Sequence, residues 1–167
     1  MAKVLIIEYQ KCNGCNDCET ACAMHFTGKD DPLQSRIRVI KTEEKGVWVP
    51  VTCQHCKDAP CIEACPAKAL WRETKLDRVL INQDKCIGCK TCVTVCPFGG
   101  ISFNKVTQQI MKCDFCDGDP ACVKVCEPEA LRYADVTELS IMKRSRIADK
   151  YFSLYMDKGS GIDPESE

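Results

Sequence analysis

Short apolar runs, each about the length of a strand, recur along the chain between charged and glycine-containing stretches. "VLIIEYQKC" before Cys12 and "RVLINQDKC" before Cys86 share one design, an apolar run ending in Lys-Cys. Each predicts a strand that delivers the chain to the first cysteine of a group. "RIRVIK" and "GVWVPVT" predict a hairpin around Glu43 to Gly46. "CPAKALW" and "CEPEALRY" carry Ala-Leu at the same distance from a cysteine, and a short helix closing a turn before the next strand would explain both. "VTELSIMKRSRIADKYFSLYMDK" places Leu139, Met142, Ile147, Tyr151, Leu154 and Tyr155 at helical spacing. It predicts an amphipathic helix over 136–158, with Thr137 as N-cap, that docks on the body or on a partner. The tail 159–167, "GSGIDPESE", predicts disorder. No apolar run approaches the roughly 18 residues of a membrane span.

Composition adds one fact that governs the rest. An apolar content of 45% is that of a globular chain, but 16 of the 167 residues are cysteine. They fall into four groups with none left over: Cys12, Cys15, Cys18, Cys22; Cys53, Cys56, Cys61, Cys65; Cys86, Cys89, Cys92, Cys96; and Cys113, Cys116, Cys122, Cys126. The first and third share C-x2-C-x2-C-x3-C, and the second and fourth widen the middle gap, which makes an A-B-A-B repeat. A disulfide framework needs an oxidising compartment. The amino-terminal "MAKVLIIEYQKC" has neither a signal-peptide apolar region nor a twin arginine, so a cytoplasmic location and reduced thiols are expected. Structural zinc uses C-x2-C pairs on longer loops, whereas three cysteines spaced two apart supply one ligand too many for a knuckle.

In "CIGCKTCVTVCP" three thiols can wrap one compact object if the chain curls, and the fourth, where a helix starts, faces a second object before Pro97 turns the chain away. That is the ligand pattern of a 4Fe-4S cluster in bacterial ferredoxins, three thiolates to one cluster and the fourth to its neighbour. All 16 cysteines are therefore candidate ligands.

On all four groups, and on "CQHCKDAPC" and "KCDFCDGDPAC", the chain resembles the four-cluster ferredoxin-type electron-transfer subunits over residues 1–135. This is the family of the dimethyl sulfoxide reductase B subunit and of the iron-sulfur subunits of formate dehydrogenases, hydrogenases and carbon monoxide dehydrogenases. The resemblance implies an α+β fold of two nested bacterial-ferredoxin-like modules. The inner module would span about 53–105 and the outer 1–35 with 106–135, with a hairpin insertion at about 36–52 and the C-terminal helix behind. It also implies four 4Fe-4S clusters with crossed ligands. Cys12, Cys15 and Cys18 would pair with Cys126; Cys113, Cys116 and Cys122 with Cys22. Cys53, Cys56 and Cys61 would pair with Cys96; Cys86, Cys89 and Cys92 with Cys65. Spacing alone permits sequential pairing as well. Cys92 keeps a cysteine where some relatives have another residue, whereas Cys22 precedes Ala23 instead of proline and Pro128 comes one position late. These two departures bear on the local backbone path.

Other residues carry lesser expectations. His55, inside "CQHC", is expected to pack by a cluster with one ring N-H bonded to a carbonyl, with an electron-exit or proton-coupled role as the alternative; His25 reads as a loop residue. Phe98, Phe115, Trp71 and Tyr133 are expected to pack against inorganic cores, and Lys11, Lys85 and Lys112 to be solvated or to soften cluster charge.

A formal net charge of -1 offers nothing for nucleic acid, and four clusters at about -2 each would take it to about -9, so basic patches are expected on partners. Folding is expected to depend on cluster insertion. No nucleophile-base pair or phosphate-cradling loop is visible, so no catalytic residue is assigned and single-electron conduction is the expected role. In its short length, its "SRIRVI" plus "GVWVPVTCQHC" hairpin and its basic C-terminal helix the chain most resembles the small subunits of tungsten or molybdenum aldehyde oxidoreductases and related benzoyl-CoA reductase complexes, which implies a large catalytic subunit of that type as the favoured partner. Hydrogenase, formate dehydrogenase or carbon monoxide dehydrogenase is the alternative, and a flavin or NAD-reducing subunit or a soluble ferredoxin is a further partner. A free polyferredoxin carrier is the competing class.

Overall fold

A computed structural model describes residues 3–42 and 46–157. Four antiparallel strand pairs and five α-helices alternate along it. The first strand, β1 (Lys3–Ile7), pairs with the last, β8 (Leu131–Asp135), with Lys3 opposite Asp135 and Ile7 opposite Leu131. This long-range pair closes the body by bringing the segment before Cys12 against the segment after Cys126. Three hairpins lie between: β2 (Ile37–Thr42) with β3 (Val47–Thr52), β4 (Leu70–Glu73) with β5 (Arg78–Ile81), and β6 (Ile101–Asn104) with β7 (Gln109–Lys112). The β2–β3 hairpin lies where alternation placed it, and residues 43–45 at its tip fall outside the described residues.

The run before Cys86 forms β5 as expected, but the turns that join β4 to β5 and β6 to β7 carried no sequence signal because they lack glycine. Asp77 (φ 49°) and Gln108 (φ 55°) take the left-handed position instead. The last residue of each first strand caps its turn. Glu73 accepts from the Leu76 N-H (3.1 Å) and from the Lys75 N-H, and Asn104 from Val106 and Thr107 (2.8 and 3.1 Å).

Helix α1 covers Asp17–Thr27, and three one-turn helices follow: α2 (Pro60–Glu63), α3 (Thr91–Thr94) and α4 (Ala121–Lys124). Each carries the third cysteine of a group, Cys18, Cys61, Cys92 and Cys122, and buries it. The helix therefore starts before the third cysteine, not at the fourth. The segments after Cys65 and Cys126 are turns, not the expected short helices, with Lys68 (φ 49°) and Glu129 (φ 53°) left-handed ahead of β4 and β8. Pro66 and Pro97 follow the fourth cysteine directly and no helix runs through it there; Ala23 after Cys22 imposes no such stop, so α1 continues to Thr27. His25 lies on its last turn, exposed, with its ring edge-on to Phe26.

Apolar side chains form only two small cores. Leu70, Val79, Ile101 and Ile110 surround Cys61 and Cys92, and Ile37 and Leu131 lie with Cys18, Cys22 and Cys122. Glu19, buried on α1, ties the hairpin on by accepting from the Val39 N-H (2.6 Å) and Arg38 Nη1 (2.7 Å). Trp48 covers Gly14 so closely that a Cβ there would lie 2.3 Å from its ring. Gly100 is tighter still in kind, since its Cβ would lie 2.6 Å from Cys53 Cα and 2.8 Å from Thr52 O, both backbone atoms that cannot rotate away. Gly100→Ala is expected to destabilise by about 1–3 kcal/mol, read as a lower thermal midpoint in differential scanning fluorimetry.

Helix α5 (Val136–Asp157) begins one residue before the expected cap, Thr137, and the capping group is the Asp135 carboxylate, which accepts the Thr137 N-H at 2.8 Å. Its first half packs on β1 and β8 through Arg132–Glu138, Arg132 to Met142 Sδ (3.5 Å) and Arg146–Glu8. Ile141, Ile147, Tyr151 and Phe152 are exposed. The side chains of Leu154 and Tyr155, and the tail expected to be disordered, lie outside the described residues.

Candidate metal centres

In every cysteine group the residue just before the second cysteine is left-handed: Gly14 (φ 76°), His55 (φ 47°), Gly88 (φ 66°) and Phe115 (φ 60°). This curl turns the first two thiols of a group toward the same side. The A groups use glycine, whereas His55 and Phe115 in the B groups carry a left-handed penalty of about 1–2 kcal/mol each. The loop at Phe115, Cys116 and Asp117 is left-handed three times in succession. Arg78 holds it, donating to Asp114 O (2.5 Å) and Asp117 Oδ1 (2.7 Å), while Arg72 donates to the carbonyls of His55, Cys56 and Lys57 in the other B loop.

The folded chain gathers thiols from different groups. Cys12, Cys15 and Cys18 surround one void together with Cys126. Cys113, Cys116 and Cys122 surround a second with Cys22, and Cys86, Cys89 and Cys92 another with Cys65. Cys61 feels the charges of Cys53 and Cys96, and Cys56 packs in the same core. Three voids thus gather quartets 1 (Cys12, Cys15, Cys18, Cys126), 2 (Cys113, Cys116, Cys122, Cys22) and 4 (Cys86, Cys89, Cys92, Cys65), and the cysteines they leave over, Cys53, Cys56, Cys61 and Cys96, are numbered quartet 3. Helix α1 with Cys18 packs on α4 with Cys122, His55 of the Cys53 loop lies against Phe115 of the Cys113 loop at 3.9 Å, and α2 with Cys61 packs on α3 with Cys92. The quartets therefore follow one another in a row.

The donor set fits a soft polynuclear core. All 16 cysteines are free of disulfides. The walls between the thiols are apolar: Val39, Pro50 and Leu131 at quartet 1, Leu5, Phe26 and Ile37 at quartet 2, Leu70, Ile81 and Ile110 at quartet 4. Among the described residues no three His, Cys, Asp or Glu side chains converge on one ion position. The thiols ring a void, where a tetrahedral ion would need four sulfurs about 2.3 Å from a common centre. Backbone N-H groups of Arg36, His55, Ala69 and Phe115 donate to the sulfurs of Cys22, Cys53, Cys65 and Cys113 at 3.3–3.5 Å, and Thr91 Oγ1 to Cys89 at 3.4 Å. Such donors stabilise thiolate ligands and tune cluster potentials.

Burial pushes the thiols of Cys18 and Cys113 up to about 12 and Cys92 to about 11, with neighbouring Glu19 adding to the effect at Cys18 and Cys86 at Cys92. The Thr91 hydroxyl and N-H hold Cys89 below the usual thiol value. Metal binding must displace protons from the buried group.

Four residues, His55, Lys112, Trp71 and Phe98, differ from their expected roles. His55 Nδ1 accepts the Val79 N-H (2.9 Å) instead of donating to a carbonyl, its ring stacks on Phe115 at 3.9 Å, and its Nε2 is buried without a partner. Burial, then the charges of Lys112, Arg72 and Arg78, lowers its pKa to about 2. Lys112 is buried, whereas Lys85 is exposed and Lys11 pairs with Glu8 at 3.0 Å. The shared Lys-Cys dipeptide hid this difference; the signal was Ile110-Met111 ahead of Lys112, which makes it the end of a buried strand. Of the four aromatics, Phe115 and Tyr133 pack together (5.3 Å), while Trp71 and Phe98 are exposed.

Short strand pairs, one-turn helices carrying buried thiols and rings of cysteines define a ferredoxin-type iron-sulfur protein. The chain belongs to the 4Fe-4S dicluster domain family, whose patterns match residues 44–136 and 11–69. It is 39% identical to the arsenate respiratory reductase iron-sulfur subunit ArrB of Shewanella sp. (strain ANA-3), over 62% of this chain and 45% of that one. It is 43% identical to the aliphatic sulfonate oxidoreductase, polyferredoxin-like subunit of Pyrococcus furiosus, over 56% of this chain and 53% of that one. An uncharacterized ferredoxin of Methanocaldococcus jannaschii is 38% identical over 90% of this chain and 83% of its own. The chain thus spans about half the length of the first two relatives. No described helix is long and apolar enough to cross a membrane.

Proposed function

We propose that quartets 1 to 4 each hold one 4Fe-4S cluster with all four cysteines as ligands, and that the chain is the electron-transfer subunit of a larger oxidoreductase. The observation that carries this reading is the row of quartets, whose cysteine-bearing helices and loops pack on one another in turn. Bound there, each cluster supplies a one-electron redox site. The protein's part is to fix the spacing of those sites through the four third-position cysteines on α1 to α4, to exclude water with apolar walls, and to set potentials with the N-H donors. With every ligand position taken by cysteine, turnover of a substrate falls to a partner.

For that partner we favour, on the sequence resemblance, the large catalytic subunit of a tungsten or molybdenum aldehyde oxidoreductase-type complex in the cytoplasm. A hydrogenase, formate dehydrogenase or carbon monoxide dehydrogenase is the second reading. The acceptor would be a flavin or NAD-reducing subunit or a soluble ferredoxin. The domain reading stands with it: residues 53–105 as inner module, 1–35 with 106–135 as outer, 36–52 as insertion.

Anaerobic isolation from native extract tests this. The expected product is brown, carries about 16 irons and 16 sulfides per chain, four of each per cluster, and co-elutes with a large subunit containing tungsten or molybdenum. Nickel in the large subunit supports the second reading, a lone monomer supports a free carrier, and colourless protein refutes cluster binding.

A further inference from the structure

Quartets 2 and 3 meet where the two B groups face each other, and the junction holds a buried cation. Lys112 closes β7 immediately before Cys113, and its side chain turns inward. Its ammonium donates to Val79 O at 2.5 Å and to Cys113 O at 3.0 Å, and lies 3.3 Å from His55 Nδ1. It therefore bridges the loop of Cys113 to the loop of Cys53, in which His55 sits. All three partners are neutral. Burying a cation among dipoles alone is strongly unfavourable, so its countercharge must come from elsewhere. Its partners adjoin Cys113 of quartet 2, whose own carbonyl it holds, and Cys53 and Cys56 of quartet 3, which flank His55.

His55 explains how the cation is held. The Val79 N-H and the Lys112 ammonium both point at Nδ1, so the ring is neutral with its hydrogen on Nε2, and it presents a lone pair to the cation. The His55 ring lies tilted against Phe115, centroids 3.9 Å apart, so the two loops touch here. A second cation, the Arg36 guanidinium, lies over the Phe26 ring at 3.0 Å beside quartet 2, with Nη1 buried and unpartnered. The ends of the row differ. Glu19, a buried acid, follows Cys18 at quartet 1, and the cation beside quartet 4, Lys90, is exposed to water.

We propose that Lys112 is a positioning residue for electron transfer: its buried ammonium, seated on His55, is the shared countercharge of the two middle clusters and holds their potentials above those of the end clusters. The proposal rests on the four-cluster reading. Its physical basis is that a fixed positive charge favours the reduced, more negative state of a nearby cluster, and that two sites sharing one cation are both favoured. An electron on the row is thereby drawn to the centre of the protein, away from its exposed ends.

The test is potentiometric titration of the holoprotein followed by low-temperature EPR, on wild type, Lys112→Met, Lys112→Gln and Lys112→Arg, each with iron and sulfide analysis. In Lys112→Met and Lys112→Gln two of the four midpoints are expected to fall by a tenfold change in the oxidised-to-reduced ratio, about 59 mV for a one-electron couple, while the other two move by less than a third of that. Lys112→Arg retains both. Four unmoved midpoints in fully loaded protein, or four that shift alike, overturn the proposal. If the neutral variants lose iron and Lys112→Arg does not, the need for a cation at the junction is upheld; loss in all three overturns it in favour of a packing role. Wild type with far fewer than about 16 irons would sink the four-cluster reading instead, a result distinct from unmoved potentials at full loading.

Discussion

Replacing Cys22 and Cys113 together by serine is expected to remove about four of about 16 irons and leave the other three clusters in place. The two residues are 91 apart in the chain yet line one void with Cys116 and Cys122. If they serve one cluster, the second substitution adds little to the first, because the site is already lost. If ligands were paired sequentially, Cys22 would serve the group of Cys12 and Cys113 its own, so the double variant would lose about eight irons. Iron and sulfide analysis of both single variants and the double variant decides between these outcomes: equal loss in all three supports the crossed arrangement, and additive loss overturns it. The closing of β1 on β8 is what makes crossing physically possible, since that pair brings Cys126 beside Cys12 and leaves α1 and Cys22 against α4.

Stripping iron from the reduced protein with a chelator is expected to abolish cooperative folding, a loss larger than any single side chain contributes. The fully buried side chains are few, with Ile37, Ile110, Leu131 and Val79 the largest apolar ones, and they fall into two separate cores that meet at the cysteines. Each fully buried aliphatic contributes only about 1.5–3 kcal/mol, against roughly 1–2 kcal/mol of backbone entropy for every residue ordered. Metal binding supplies the balance, as in structural zinc domains, where it amounts to about 10–16 kcal/mol. Amide NMR of the chelated, reduced protein is expected to show collapsed dispersion that returns on reconstitution with iron and sulfide. A well-dispersed apoprotein spectrum would contradict this, and would also mean that the buried Lys112 ammonium tolerates having no anion near it.

Much of the site was legible because cluster ligation is local. Three thiols of each group are delivered by one loop and one helical turn, so the spacing in "CNGCNDC" or "CIGCKTC" already prescribes a shared void. The strand before each A group and the β2–β3 hairpin were equally readable from alternation. The turns that join β4 to β5 and β6 to β7 were not, because Asp77 and Gln108 are left-handed there without the glycine that would announce them.

From its own residues the sequence determined the kind of metal centre, the membership of each cysteine group and the strands that lead into them, since all three depend on neighbours within a few positions. Which fourth cysteine shares a void with which three was decided by the tertiary structure, because an A-B-A-B repeat is compatible with either pairing until β8 returns to β1. The burial of Lys112 was decided there too. Its dipeptide matches those of Lys11 and Lys85, and only the facing of two distant loops takes that one ammonium out of water and places it between two quartets.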